Sequence, residues 1–335
     1  MATMSITGRI KKVETGIRPF DIGRDLRPVA DLISRSFASE LDHRGTAALR
    51  EMRLMGYIGS LLKILNRSTG EFDDLFSGFV WVHQNKVVGN VTVQRADSIG
   101  RRWHIANVAV SPAFRGQGIA SKLVQQATGY IARERGEWVS LQVHGNNHIA
   151  MSLYDKLGFE NLGGMVTLRL AKVPKEQAET QAPDNILTTF GASQWHSLYE
   201  LANSQSYLHT QWWRGLHRSN FHVTIEEQIA EWFWQIVGRQ RVERRCIRQG
   251  RKFDAAMILS AQRWNGIHKL DLWTRPNQYG RHEETLIQWA LAELQEYPRF
   301  PIEIKLSTEY PVAIETFQRY DFVEHDSLLT MRKSI

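Results

Sequence analysis

The sequence predicts the α/β (α+β) fold class in two tandem copies of one domain, and three observations carry that expectation. The chain has 335 residues, more than one compact core ordinarily needs. Short runs of β-branched and aromatic residues alternate with segments whose apolar residues recur at helical spacing. That order then repeats. Pro112 aligns with Pro276 at an offset of 164 residues, which sets IHKLDLWT over WHIANVAV and Gly280 over Gly116. Ala150 aligns with Ala313 at an offset of 163, which sets ETFQRYDFVE over SLYDKLGFEN. A near-constant offset with matching element order reads as a duplication rather than a short solenoid repeat.

In the first copy, Phe79–His83 and Val87–Gln94 read as strands of a hairpin turning at Gln84-Asn85-Lys86. His104–Val110 reads as a buried strand ended by Ser111-Pro112. From Ile119 to Arg135, apolar residues at Ile119, Leu123, Val124, Ala127 and Ile131 mark one helical face, with Gly136 as the stop. Trp138–His144 is a further strand, Ile149–Leu157 a short helix and Val166–Leu170 a last strand. The polar, proline-containing stretch from Ala171 to Asp184 reads as a linker. The expected domains are therefore residues 1–172 and 185–335, joined by 173–184.

Composition narrows the class. Forty-two Lys and Arg against 35 Asp and Glu give a net charge of +7, which suits anionic ligands. The densest basic stretch, Arg239 to Lys252, holds no aromatic residue and reads as a solvated strand and turn rather than a nucleic-acid patch. One cysteine, Cys246, excludes an internal disulfide and a cysteine-rich metal site. The most apolar stretch, Leu54 to Leu65, is broken by glycine, serine and lysine and is too short to span a bilayer. The N-terminal residues lack the apolar core of a secretory signal. A cytoplasmic protein without membrane or metal is the expectation.

The chemistry sits in NVAVSPAFRGQGIASKLVQQA, from Asn107 to Ala127. A strand runs through a proline turn into Arg115-Gly116-Gln117-Gly118-Ile119-Ala120 and then a helix. The glycines admit a ligand close to the backbone, and the unpaired amides at the helix start form an anion cradle beside Arg115. Farther on, in LQVHGNNHIAMSLYDKLGFE, the residues Asn147, Ala150, Leu153, Tyr154, Gly158 and Phe159 follow at fixed spacing. With both segments in this order, the region from Ile17 to Leu170 resembles the GNAT superfamily of acyl-coenzyme A-dependent N-acetyltransferases.

The resemblance implies a mixed, mostly antiparallel twisted sheet with splayed central parallel strands, flanked by helices. It implies acetyl-coenzyme A as co-substrate and an amine of a small molecule or peptide as acceptor. The backbone of Gly116, Gln117, Gly118, Ile119, Ala120 and Ser121, with Arg115, would hold the pyrophosphate. Val108, Ala109 and Val110 would line the acyl and pantetheine arm, Asn147 would contact the pantetheine, and Tyr154 would protonate the departing thiolate. The general base departs from a common family pattern: Gln142 stands where a glutamate might serve. His104 and His144 stay open as alternatives, while Glu40, Asp42 and His43 could instead line the acceptor side.

The second copy has Tyr279 for Arg115, His282 for Gly118, Tyr310 for Asn147 and Phe317 for Tyr154, so it reads as a degenerate domain. Tandem architecture of this kind is similar to that of the mycothiol synthases. The first half alone is expected to keep coenzyme A binding and lose acceptor turnover. A monomer or a homodimer fits equally. Two alternatives to the enzyme stand beside it: a non-catalytic acyl-coenzyme A sensor, and a nucleic-acid-directed acetyltransferase.

Overall fold

The computed structural model describes residues 14–37, 50–54, 57, 77–175, 186–205, 207, 209, 212, 240–250 and 252–335. They fall into two compact units. One comprises the chain through Gln142, together with Ser152–Glu160 and Arg332–Ile335; the other comprises Val143–Met151 and Asn161–Met331.

In the first unit the strands β1 (Gly16–Pro19), β2 (Gly78–His83), β3 (Lys86–Arg95), β4 (Arg102–Val110) and, as far as Gln142, β5 (Trp138–His144) follow one another in the sheet. All neighbours are antiparallel except β4 and β5, which run parallel. The β2–β3 hairpin turns on Gln84 (φ 47°) and Asn85 (φ 63°), two left-handed residues in succession, whose twist matches that of the flanking strands. Helix α1 (Leu26–Ser36) buries Val29, Ala30 and Ile33 against Val80 and Val82. Helix α2 (Ile119–Arg133) buries the five apolar residues that its spacing predicts. It closes on β3 at Gly89, where a Cβ would stand 3.0 Å from Ile119 and Leu123.

The end of α2 differs from expectation. Arg135, not Gly136, takes the left-handed position (φ 61°), and the helix stops at Arg133. Gly136 is needed for space instead: a Cβ there would lie 2.4 Å from Ile131 and 2.7 Å from the Trp103 ring. Helix α3 (His148–Lys156) follows β5.

The second unit holds β6 (Glu160–Leu170) from Asn161 on, β7 (Thr188–Thr189), β8 (Gln240–Gln249), β9 (Lys252–Gln262), β10 (His268–Thr274), β11 (Ile302–Ser307) and most of β12 (Val323–Ser334). Their order is β12-β6-β11-β10-β9-β8-β7. Its described helices include α4 (Trp195–Gln205), α5 (Glu283–Glu293) and α6 (Pro311–Arg319). Again one central pair, β10 with β11, is parallel. The expected basic surface is strand β8 and the Gly250 turn; Cys246 within it is buried, and burial pushes its thiol up to about 11, so it is inert.

The units do not divide where the sequence halves divide. Strand β6, expected to complete the first domain, pairs with β11 from Met165 opposite Ser307 to Leu170 opposite Ile302. Val166, Leu168 and Leu170 are buried in one core with Leu270, Ile302 and Ile304. Conversely, residues 332–335 belong to the first unit: Ile335 N–H donates to the Glu137 carbonyl (2.9 Å), and Lys333 Nζ donates to the Leu157 carbonyl (2.6 Å). Each unit is thus completed by a segment from the other half of the sequence. Sequence periodicity cannot reveal this, because the pattern of a buried strand is the same whichever neighbour it pairs with.

Candidate active site

Strand β4 prepares the site. Its register against β3 slips between Asn90 and Thr92, and Asn107 adopts φ 52° at the slip. The buried Asn90 holds this bulge by donating its amide to the Asn107 carbonyl (3.1 Å), while Asn107 Nδ2 donates to Thr92 Oγ1 (3.3 Å). After the bulge, Ala109 and Val110 pair again with Asn90 and Gly89. Val108 falls at the interruption, where the ladder leaves backbone groups for another partner. On its other side, β4 pairs with β5 only from Arg102/Trp138 to Ile105/Leu141, although β4 runs on to Val110 and β5 to His144. The central parallel pair is splayed, as expected. Sequence reasoning missed Asn90 and Asn107; the one available signal was an asparagine able to take a positive φ inside a strand.

The cradle follows. Ser111 N–H donates to the Val88 carbonyl (2.8 Å), Pro112–Phe114 form a 3-10 turn, and Arg115 lies exposed with Nε donating to the Val110 carbonyl (3.3 Å). Gly116 (φ 77°) and Gly118 (φ 72°) are both left-handed, and nothing lies within 4 Å of a Cβ built on either. No side chain caps α2 and its first turn holds no acid. Its leading N–H groups lack helical acceptors, so the turn presents donors, a helix dipole and open space together. Gln117 is exposed, Ala120 and Ser121 are half-buried, and Ile119 turns its side chain into the core, so only its backbone is on offer.

Tyr154 is the buried residue of α3 and meets Phe159 edge to face at 5.9 Å. Burial pushes its phenol up to about 12, and among the described residues its hydroxyl makes no hydrogen bond. Asn147 and His144 fall in the second unit. Asn147 Oδ1 accepts from Ala150 N–H (3.1 Å), capping the start of α3. His144 Nδ1 stands 2.9 Å from Asp326 Oδ1; since a carboxylate only accepts, the ring donates there. Gln142 is half-buried on β5. Glu40, Asp42 and His43 lie outside the described residues.

His104 is a packed strand histidine. It is buried, with Nδ1 3.3 Å from Ser140 Oγ, and burial pushes its imidazole down to about 4. The unfolded chain, at about 6.5, takes up a proton that the folded one refuses. The contribution of a neutral His104 is therefore complete above pH about 6.5 and is lost as pH falls toward 4. Urea midpoints at pH 7.5 and pH 5 should differ more in the wild type than in His104→Gln; equal differences would mean that His104 is not buried neutral.

The corresponding turn of the second unit begins with the same backbone, then departs from it in conformation and chemistry. Pro276–Gln278 form a 3-10 turn, and Gly280 takes φ 82° where Gly116 takes 77°. His282 precedes α5 without a left-handed φ, and the helix opens on two acids, Glu283 and Glu284. The buried Glu283 carboxylate accepts His282 N–H (3.0 Å) and the Tyr310 hydroxyl. Tyr310 stacks on Tyr279 at 4.1 Å, and Tyr279 reaches the Tyr207 hydroxyl (3.0 Å). Phe317 meets Phe322 edge to face, as Tyr154 meets Phe159, without a hydroxyl.

Residues 39–159 match the model of the acetyltransferase (GNAT) family. Over 119 residues the chain is 31% identical to the N-alpha-acetyltransferase MAK3 of Arabidopsis thaliana, a match covering 33% of this chain and 63% of that protein. Over 149 residues it is 29% identical to the mycothiol acetyltransferase of Kocuria rhizophila, covering 43% and 45%. The chain thus spans less than two thirds of the length of these relatives. Two solved structures share the fold along nearly the whole chain. A GCN5-related N-acetyltransferase from Sphaerobacter thermophilus superposes with a TM-score of 0.54 at 13% identity, over 95% of each chain. A tandem GNAT protein from the clavulanic acid biosynthesis pathway does so with 0.51 at 13%, over 96% of this chain and 98% of that one. No described helix is long and apolar enough to cross a membrane. Among the described residues no group of three or more His, Cys, Asp or Glu could hold a metal.

Proposed function

We propose that this protein transfers an acetyl group from acetyl-coenzyme A to a primary amine, using a single cofactor site built on β4 and α2. The open, acid-free turn at Gly116 and Gly118 carries this reading, because it combines close backbone approach with unpaired donors where a pyrophosphate would rest. Arg115 and the backbone from Gly116 to Ser121 would bind the pyrophosphate. The β4 backbone at Val108–Val110 would align the acyl arm, and Asn147 would contact the pantetheine. The thioester supplies an activated acyl carbon, so no protein nucleophile is needed and positioning provides much of the rate.

The backbone amide at the Val108 bulge would stabilise the oxyanion. Tyr154, protonated at neutral pH, donates to the departing sulfur. For the base, Gln142 cannot accept a proton, and His104 is held neutral and engaged with Ser140. His144 is bonded to Asp326 within the second unit, and no base is assigned. The second cradle is closed by the Glu283 carboxylate and the Tyr279–Tyr310 stack, which supports its reading as a degenerate copy.

The relatives are named N-alpha-acetyltransferase and mycothiol acetyltransferase, and the acceptor class proposed here is a primary amine of a small molecule or peptide. A buried tyrosine whose hydroxyl has no partner among the described residues favours catalysis over mere sensing. Tyr154→Phe should lower kcat by roughly 10²-fold, the low end for a lost general acid, with little change in acetyl-coenzyme A affinity. Free-thiol release across an amine and peptide panel supplies the readout. An unchanged kcat with a measurable chemical step would return Tyr154 to packing.

A further inference from the structure

The first unit has a second concavity that the proposed reaction does not use. A cleft of about 650 Å³ lies between α1 and the β2–β3 hairpin, a volume suited to a small metabolite. Its floor is electrically complete. Arg18 forks onto the buried Asp25 carboxylate with Nη1 at 2.5 Å and Nη2 at 2.8 Å, and Asp21 N–H adds a third donor at 2.8 Å. The other two acids on the cleft are also engaged: Glu14 pairs with Arg18 (3.0 Å) and Arg24 (3.5 Å), and Asp31 pairs with Arg53 (2.7 Å).

The rim is not complete. Arg27 and Arg35 share one face of α1, four residues either side of Asp31, and Lys86 faces them from the hairpin tip. All three are exposed, and among the described residues none has a carboxylate partner. Two are already positioned: Arg35 Nε donates to the Asp31 carbonyl (3.1 Å), and Arg27 lies over the Tyr57 ring at 5.0 Å.

We propose that this cleft binds a small, multiply charged anion of the phosphate class. Three convergent cations around a floor whose own charges are satisfied leave a local excess that only an anion neutralises. Guanidinium forks suit phosphate oxygens in particular. The cleft also touches the cofactor turn. Ser111 and Phe114 are on its wall, and Phe114 is two residues from Gly116, its ring against His83 at 5.1 Å. An occupant therefore bears on the segment that shapes the cradle, and its binding is coupled to that of coenzyme A. This coupling rests on the reading of the cradle given above; the anion site itself does not.

The test uses the full chain with coenzyme A in saturating amount, so that the cradle is filled, and titrates inorganic tripolyphosphate by calorimetry. One further binding event per chain is expected, weakened at least tenfold in the triple variant Arg27→Gln, Arg35→Gln, Lys86→Gln and unchanged in Arg133→Gln, an exposed cation elsewhere on the unit. No event in the wild type, or equal loss in the Arg133 control, overturns the site. Tighter, steeply salt-dependent binding of single-stranded RNA lost in the same triple variant would replace a small anion with a nucleic acid and overturn the assignment. Saturating tripolyphosphate should change coenzyme A affinity by roughly fivefold or more in the wild type alone, and an unchanged affinity overturns the coupling. If coenzyme A fails to bind at all, the cradle reading falls while the tripolyphosphate comparison still decides the cleft.

Discussion

Gly118→Trp should abolish coenzyme A binding and leave the protein folded. Both halves of that expectation come from one position. A Cβ on Gly118 meets nothing within 4 Å, so an indole projects into open space and breaks no packing. That open space is where a pyrophosphate would have to approach the amides of α2. The residue also sits at φ 72°, a conformation costing an L-residue about 1–2 kcal/mol, so a modest drop in Tm is part of the expected result. Calorimetry on the wild type should give one coenzyme A per chain. Two comparable wild-type sites would mean that the Glu283 closure of the second cradle is not a closure. Retained binding in the variant would move the cofactor away from α2.

A larger effect is expected from cutting the chain after residue 172. The sequence suggested that the first half alone would bind coenzyme A. The structure changes that expectation. The severed half keeps β6 but loses β11, against which Val166, Leu168 and Leu170 are buried, and it loses residues 332–335. Exposing three such side chains forfeits on the order of 5–8 kcal/mol, comparable to the whole stability of a domain. Sedimentation and near-ultraviolet dichroism of the 1–172 product should show aggregation or a dimer sharing β6, not a folded monomer. A well-folded monomer that binds coenzyme A would show that β6 can turn back onto its own half.

Much of the first unit was legible because its signals are local. The α2 stripe, the Gln84-Asn85 turn and the glycines at 116 and 118 each follow from neighbours within a few residues. The roles expected of the cradle residues and of Tyr154 came with the family resemblance that those segments carry. What escaped depends on distance along the chain. The Asn107 bulge is fixed by Asn90 across the sheet, and the Asp326 partner of His144 lies 182 residues away. The closing of the second cradle was half visible: substitution at His282 and Tyr310 was plain, whereas Glu283 as the occupying anion required the fold. Gly136 was read as a helix stop for its conformational freedom, and its actual role is to make room for Trp103.

The exchange of strand segments also sets a timetable. Glu137 leaves the ribosome 198 residues before Ile335, its hydrogen-bond partner. At about 5–20 residues per second of synthesis, the nascent first half waits about 10–40 s for the segment that completes it. During that interval β6 has already emerged, with Val166, Leu168 and Leu170 still lacking Ile302 and Ile304. An unpaired apolar strand held from Leu170 until Ile302, about 7–26 s at that rate, is a substrate for chaperones and for pairing with neighbouring polysomal chains. Yield of this protein should therefore depend on translation speed between residues 171 and 301 more than on the stability of the finished molecule.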